Sequence, residues 1–369
     1  MNLPPFLLDH WLAAHEFASP PIPYNLASST GPRWTVKAVL ALGAGETVGI
    51  DDVEIGYAPS EGRRELREAI GAFHGVDPDW VIVTTGASEA FSILLCLAAR
   101  EGGDIVLPSP AFPAFAAMAG AWKLGSRFYR LTRARGFAQH AAGVIGAVDD
   151  ETVLALVNSP HNPTGSVMAH DEIVALAGAL GGRGIPLIVD EVYHPLYFGA
   201  ASPSAAAINN VIVISDMSKA LSLAGLRIGW IIDADAERRK RIIDARSYFT
   251  ISSSPILEAL AITALRHREV VLGRLREVAT ANLAALTALM EDATEILDWT
   301  RPAGGTIAFP WFRDGRNSRP FCETLAAAGV LVAPGDCFGE PDHLRIGFCA
   351  QVERFDAALA ILSTTLRSA

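Results

Sequence analysis

The chain of 369 residues has little lysine. Of its 30 basic residues only four are lysines: Lys37, Lys123, Lys219 and Lys240. Arginine supplies nearly all the positive charge, so each lysine raises the question of why it is not an arginine. Cysteine is scarce too. Cys96, Cys322, Cys337 and Cys349 form no C-x-x-C pair and no metal-ligand spacing, so neither a metal site nor a disulfide framework is read from them. They read as reduced, mostly buried thiols of a cytoplasmic protein. Basic charge is outnumbered, with 30 Lys+Arg against 40 Asp+Glu and a formal net charge of -10. That balance, without a basic run, argues against nucleic acid and against anionic membrane surfaces. The start, Met1-Asn2-Leu3-Pro4-Pro5, lacks the basic and apolar regions of a signal peptide. Long apolar runs are missing as well. Residues 105–122 contain Pro108, Pro110 and Pro113, and residues 192–215 contain Asn209, Asn210 and two prolines, so neither makes a membrane span. No internal repeat of fixed period is present.

What is present points to a large folded core. Half the residues are hydrophobic and 19% are charged, which argues against disorder. Residues 61–73 have helical spacing, with Leu66, Ala69, Ile70 and Phe73 on one face. Strand-like runs follow at 80–84, 104–107, 126–131, 152–157, 186–190, 211–215 and 227–232, with helical stretches such as 87–100 and 171–180 between most of them. Seven short apolar strands alternating with helices predict a mostly parallel α/β sheet covered on both faces. The tail differs. Residues 255–290 read as one long helix, followed by strands at 306–311, 330–333 and 343–348 and helices at 320–328 and 352–366. The expected division is an N-terminal arm over 1–45 packing with the small domain, a large domain over 46–275 and a small α+β domain over 276–369.

In open α/β sheets, ligands bind beyond the carboxyl ends of the strands. Lys219 lies at such a place, in a strand-to-helix turn, where a cation beside a helix N-terminus is unfavourable. A desolvated lysine near another cation can act as an amine nucleophile. Arg227 follows eight residues later. A lone arginine is usually a solvated charge, but Leu226, Ile228 and Trp230 give it a strand setting and so predict a buried anionic partner. Asp190 ends the apolar run Leu187-Ile188-Val189; alone it would read as a turn or cap aspartate. Tyr193 would face the same way if the segment turns helically. Asn162 could be a plain turn residue before proline, yet residues 158–165 hold more turn formers than one tight turn needs. Gly86-Ala87-Ser88 offers free backbone N–H groups at a helix start, an anion site that every strand–helix junction shares. Phe112, taken alone, is an ordinary core aromatic.

The order and spacing of these residues are specific together. Asn162-Pro163-Thr164-Gly165, Asp190-x-x-Tyr193 and Ser218-Lys219 with Arg227 eight residues on resemble the class I/II aminotransferases, fold-type-I pyridoxal-phosphate enzymes. The resemblance runs from Tyr57 to Arg345. It implies a three-layer α/β/α large domain with a seven-stranded sheet and a smaller α+β domain. Pyridoxal 5'-phosphate needs an amine, and Lys219 fits where arginine cannot, because arginine is never deprotonated in proteins. The resemblance gives Asp190 the ring nitrogen, Asn162 and Tyr193 the ring's phenolic oxygen, and Phe112 the ring face. The phosphate goes to the N–H groups of Ala87 and Ser88, the Ser218 hydroxyl and Arg227. Tyr57 would reach the phosphate of the neighbouring subunit in a homodimer, and Arg345 would fork onto the substrate carboxylate, with Asn162 beside it. No metal is implied.

One position departs from the family. Three residues before Lys219 the family usually places Ser or Thr, and here it is Asp216. An anion facing a phosphate is repulsive, so Asp216 is expected to turn away or to contact a base. The expected reaction is transamination between an L-amino acid and a 2-oxo acid. Lyases, decarboxylases and cyclases share the fold, as does a non-catalytic binding protein. Ser28, Ser29, Thr30, Gly31, Arg33, Trp34, Trp311 and Phe338 are the candidates for the side-chain pocket.

Overall fold

The computed structural model describes residues 5–16, 18–43 and 50–368. The signal-peptide expectation at residues 1–4 and the expected boundary at 45–46 lie outside the described residues. The centre is a seven-stranded sheet: β1 (Val81–Thr84), β2 (Asp104–Ser109), β3 (Gly125–Arg130), β4 (Thr152–Asn158), β5 (Leu187–Asp190), β6 (Val211–Asp216) and β7 (Gly229–Asp233). Their order across the sheet is β1-β7-β6-β5-β4-β2-β3. All neighbours run parallel except β7, which is antiparallel to both β1 and β6.

The alternation of side chains explains the two covered faces. Successive residues of a strand point to opposite sides. Val83, Val106, Val157, Val189, Val213 and Trp230 enter one buried cluster, and Ile82, Ile105, Leu156, Ile188, Ile212 and Ile231 enter the other. Helix α1 (Arg64–His74) and α3 (His170–Gly181) supply Leu66, Ile70, Leu176 and Leu180 to the first face; α2 (Ala87–Ala99) supplies Ala90, Phe91 and Leu94 to the second. Each fully buried aliphatic side chain contributes about 1.5–3 kcal/mol of transfer free energy.

The expected single helix over 255–290 is two helices, α4 (Pro255–Arg266) and α5 (Arg268–Asp292). His267 leaves the helical backbone between them, with φ -103° and ψ 26°. No Gly or Pro marks that place, so the apolar period continues across it. The expected boundary at 275–276 falls within α5. After it, Ile307–Ala308, Leu344–Gly347 and Ala333–Pro334 make a three-stranded antiparallel sheet. The N-terminal segment joins this region. Tyr24–Asn25 pairs in parallel with Val330–Leu331, and Leu26 O accepts from Gly347 N at 2.6 Å. A Cβ at Gly347 would overlap the Ser28 carbonyl, so only glycine lets the arm lie this close.

Candidate active site

The site lies where β4, β5 and β6 end side by side. Asn158 pairs with Asp190, and Asp216 with Gly229 at the start of antiparallel β7. A cleft of about 850 Å³ opens above them. Its floor and walls include Asn158, Asn162, Asp190, Tyr193, Asp216 and Lys219.

Lys219 points its amine inward, and Nζ donates to Ser29 Oγ of the N-terminal arm at 2.8 Å. Burial pushes the amine's proton affinity below that of an ordinary lysine; Asp216 pulls the other way and Arg345 adds to the fall. No helix follows Lys219, contrary to expectation. Residues 217–223 are irregular, and a short 3₁₀ turn, Ala224–Leu226, leads to Arg227.

Asp190 is buried, and its Oδ1 accepts from Val192 N at 3.0 Å. Burial raises its carboxyl to about 7, against the lowering by the Val192 N–H; the nearby carboxylate of Asp216 raises it further and Lys219 lowers it. Tyr193 is buried with no hydrogen bond of good geometry at Oη. Burial pushes its hydroxyl up to about 12, with Arg345 and the neighbouring Ser29 pulling it down. Asn158 holds the loop that bears Asn162: its Nδ2 donates to Asp190 O at 3.1 Å and its Oδ1 accepts from Asn162 N at 2.7 Å.

Arg345 is 1% exposed. Its Nη2 donates to Ala27 O at 2.6 Å and its Nη1 to Asn162 Oδ1 at 3.3 Å. No carboxylate pairs with it among the described residues, and Nε has no partner. It stands one side chain behind the cleft, reached past Asn162, with its guanidinium 5.0 Å over the Phe338 ring. A buried cation without an anion is costly, and a carboxylate ligand would relieve it.

Behind Asp190 sits a second buried group. Trp230 Nε1 donates to His74 Nε2 at 3.0 Å, and because indole only donates, the His74 proton is on Nδ1. Ser204 Oγ lies 2.8 Å from that nitrogen and donates to Glu191 Oε2 at 2.7 Å. Burial works against the Glu191 charge, yet His74 and His194 hold its carboxyl below the usual range. Trp230 occupies the lone pair through which a neutral His74 would bind a metal. The group instead anchors Glu191, and so the backbone of its neighbour Asp190.

The chain matches the family model "Aminotransferase class I and II" over residues 30–361. It belongs to that family. This aminotransferase-family chain is 29% identical to capreomycidine synthase of Streptomyces vinaceus, over 99% of this chain and 94% of that one. Its fold matches a PLP-dependent aminotransferase from Streptococcus suis with TM-score 0.91 and 25% identity, covering 100% and 99% of the two chains. It also matches the PLP-dependent cyclase OrfR with TM-score 0.88 and 27% identity, covering 100% and 98%. The chain is thus a pyridoxal-phosphate-dependent enzyme of this family.

The residues present fit that cofactor. A buried carboxyl, a buried phenol with no hydrogen bond of good geometry among the described residues and an amine with weakened proton affinity meet in one cleft. At its edge Gly86 has φ 81° and starts α2 beside the Arg227 guanidinium; a Cβ there would meet Arg227 Nη2 at 2.5 Å. Ala87, Ser88, Phe112 and Ser218 line the same cleft.

Two expectations need correcting here. Arg227 is exposed, has φ 50° outside β7 and has no carboxylate partner among the described residues; its Nη1 donates to Ala224 O at 3.2 Å. The left-handed turn swings it out of the strand row and over Gly86. Asp216 does not turn away, and among the described residues it makes no ion pair with a base, though its charge acts on Lys219. It lines the cleft, Oδ1 accepting from Ser218 N at 2.7 Å and Oδ2 from Ala87 N at 3.4 Å. The carboxylate finds donors in backbone N–H groups, as aspartate does in turns.

Tyr57 is 87% exposed and is not brought to this chain's own cleft. Of the pocket candidates only Ser29 lines the cleft. Arg33 is exposed, Trp34 lies 4.8 Å under Arg274, and Trp311 packs with Phe137 and His343. Sequence reasoning missed Asn158 as a tie and Phe91, Phe115 and Met118 as walls. A polar residue ending an apolar strand was the available signal for Asn158.

Proposed function

We propose that this enzyme moves an amino group between an L-amino acid and a 2-oxo acid in two half-reactions. One observation carries the reading: a buried lysine amine of lowered proton affinity faces a cleft backed by a buried arginine with no carboxylate partner among the described residues. Pyridoxal phosphate, when bound, supplies a ring that withdraws the electron pair left at the substrate α-carbon. Lys219 would hold the cofactor, yield it to the incoming amine, then take the substrate α-proton on Nζ and hold it for return. Asp190 would hold the proton at the ring nitrogen; Asn162 and Tyr193 would donate to the ring oxygen, and Phe112 would pack on the ring face. Ala87 and Ser88 N–H, the Ser218 hydroxyl and Arg227 would bind the phosphate. Arg345 and Asn162 would orient the substrate carboxylate.

The reading includes a homodimer. Ile55, Tyr57 and Tyr248 are 84%, 87% and 89% exposed, and such apolar side chains suit burial against a second copy, whose phosphate Tyr57 would reach. It also includes the arm, large-domain and small-domain division at 45–46 and 275–276. The four cysteines are free, and no helix among the described residues is long and apolar enough to cross a membrane; both suit a cytoplasmic enzyme.

A second reading is cyclisation or another bond-breaking reaction on the same fold. The end-to-end likeness to capreomycidine synthase and to a cyclase favours it. One experiment separates the two. The holoenzyme is given an amino donor and no oxo acid, across a screen of donors. Transamination gives one equivalent of oxo acid and of pyridoxamine phosphate. A cyclised, decarboxylated or ammonia-releasing product without pyridoxamine phosphate favours the second reading. Lys219→Ala should abolish turnover and leave the cofactor bound without a covalent bond; a variant that turns over at the parent rate rejects both readings.

A further inference from the structure

Asp216 stands where the phosphate groups of the proposed seat converge. Its carboxylate already accepts from Ala87 N and Ser218 N. The charges around it come from several elements. Arg227 lies over Gly86 from the turn before β7, and Asp216 acts through its charge on Lys219 in the loop after β6, on Asp190 at the end of β5 and on Tyr193 just beyond it. Glu89, one turn into α2, is engaged by Thr85 N and by Thr250 Oγ1. With Lys219 taken up in holding the cofactor and Asp190 facing its ring nitrogen, the seat offers the phosphate one guanidinium and the partial positive charge of a helix start, about half an elementary charge, against one carboxylate. A phosphate monoester carries nearly two negative charges above its second pKa of about 6. The seat is short of positive charge by more than one unit for that dianion.

We infer that Asp216 makes the seat take up one proton with the cofactor, shared between its carboxyl and the phosphate, so that hold on the cofactor weakens as pH rises. The inference rests on the phosphate seat proposed above. Its geometry is one donor facing one acceptor: the shared hydrogen lets an O–H···O contact replace a repulsion between two anions. The proton comes from solvent on binding and returns to it on release, so no other reactant is needed. The sign follows from linkage. Free cofactor phosphate loses its proton above about pH 6. A seat that needs the proton then loses affinity by up to tenfold per pH unit until the bound pair itself deprotonates. The enzyme would thus shed its cofactor most readily in alkaline solution.

Phosphorus NMR of the holoenzyme from pH 6 to 9 tests this without reading activity. In the parent enzyme the bound phosphate should titrate about two units above its free value. The half-time of cofactor loss on dialysis should be several-fold shorter at pH 8.5 than at pH 6.5. In Asp216→Asn the bound phosphate should be dianionic over the whole range and cofactor retention should not fall with pH. A parent resonance at the dianion position throughout, with pH-independent retention, overturns the inference; this measurement stands alone if Asp216→Asn does not fold. Arg227→Met separates the inference from the seat. It should release cofactor at every pH. If it leaves resonance and retention unchanged, the phosphate seat itself is wrongly assigned.

Discussion

Lys219 Nζ donates to Ser29 Oγ at 2.8 Å, joining residues 190 apart in sequence. The N-terminal segment thus reaches into the cleft. Ser29 O in turn accepts from Thr306 Oγ1 at 2.7 Å, which holds the arm in place. A hydrogen bond to a charged group is worth about 1.5–3 kcal/mol. Ser29→Ala removes an acceptor for the charged amine, so the Lys219 proton affinity falls further. The pH midpoint for cofactor capture, read as borohydride-trappable absorbance, should move down by about one unit. An unchanged midpoint would mean that Ser29 does not set the amine.

Asp190 gives a pH dependence of stability. Its carboxyl rises from the ordinary 3.8 to about 7 in the folded chain through burial. A carboxyl raised on folding favours the folded state at low pH, and that advantage is lost as pH climbs from about 4 to about 7. Three pH units correspond to about 4 kcal/mol. In cofactor-free protein, Asp190→Asn should therefore be more stable than the parent at pH 8 by up to that amount, with the gap closing towards pH 4. Urea unfolding at several pH values measures it. In the holoenzyme the same change should lower turnover far more than cofactor binding.

Arg345 is buried with no carboxylate paired to it among the described residues, so a carboxylate ligand would complete its surroundings. Arg345→Met should lower kcat/KM by about 30- to 5,000-fold, matching the 2–5 kcal/mol lost when one member of a buried charge pair is removed. The melting temperature of substrate-free enzyme should not fall. A lower melting temperature with unchanged kinetics would assign Arg345 to packing alone.

The exposed Tyr57 gives a test of shared sites. Tyr57→Ala and Lys219→Ala homodimers should each be impaired. Subunits mixed and re-associated should regain activity, because a hybrid dimer contains one site with both residues intact. No gain above the more active of the two homodimers would place each site within a single chain.

The fold was legible because its core is periodic. All seven strands of the sheet were read from short apolar runs, and Asp190 and Lys219 from their places after such runs. The long helix was misread at His267 because apolar spacing does not record a single residue leaving the helical backbone. Arg227 was misread for a related reason: hydrophobic neighbours at 226, 228 and 230 mimic a strand, while the backbone at 227 is left-handed. The partnership of Ser29 with Lys219 could not be read at all. It depends on the arm pairing with Val330–Leu331, a long-range contact with no local signal.

The most direct test uses the scarcity of lysine. Holoenzyme is reduced with borohydride, digested and mapped by mass for the pyridoxyl label. With four lysines in the chain, each site is separately resolvable. The label should fall on Lys219 alone, in one equivalent per chain, and should vanish in Lys219→Ala. A label on Lys37, Lys123 or Lys240, or no label in an active holoenzyme, would contradict the account.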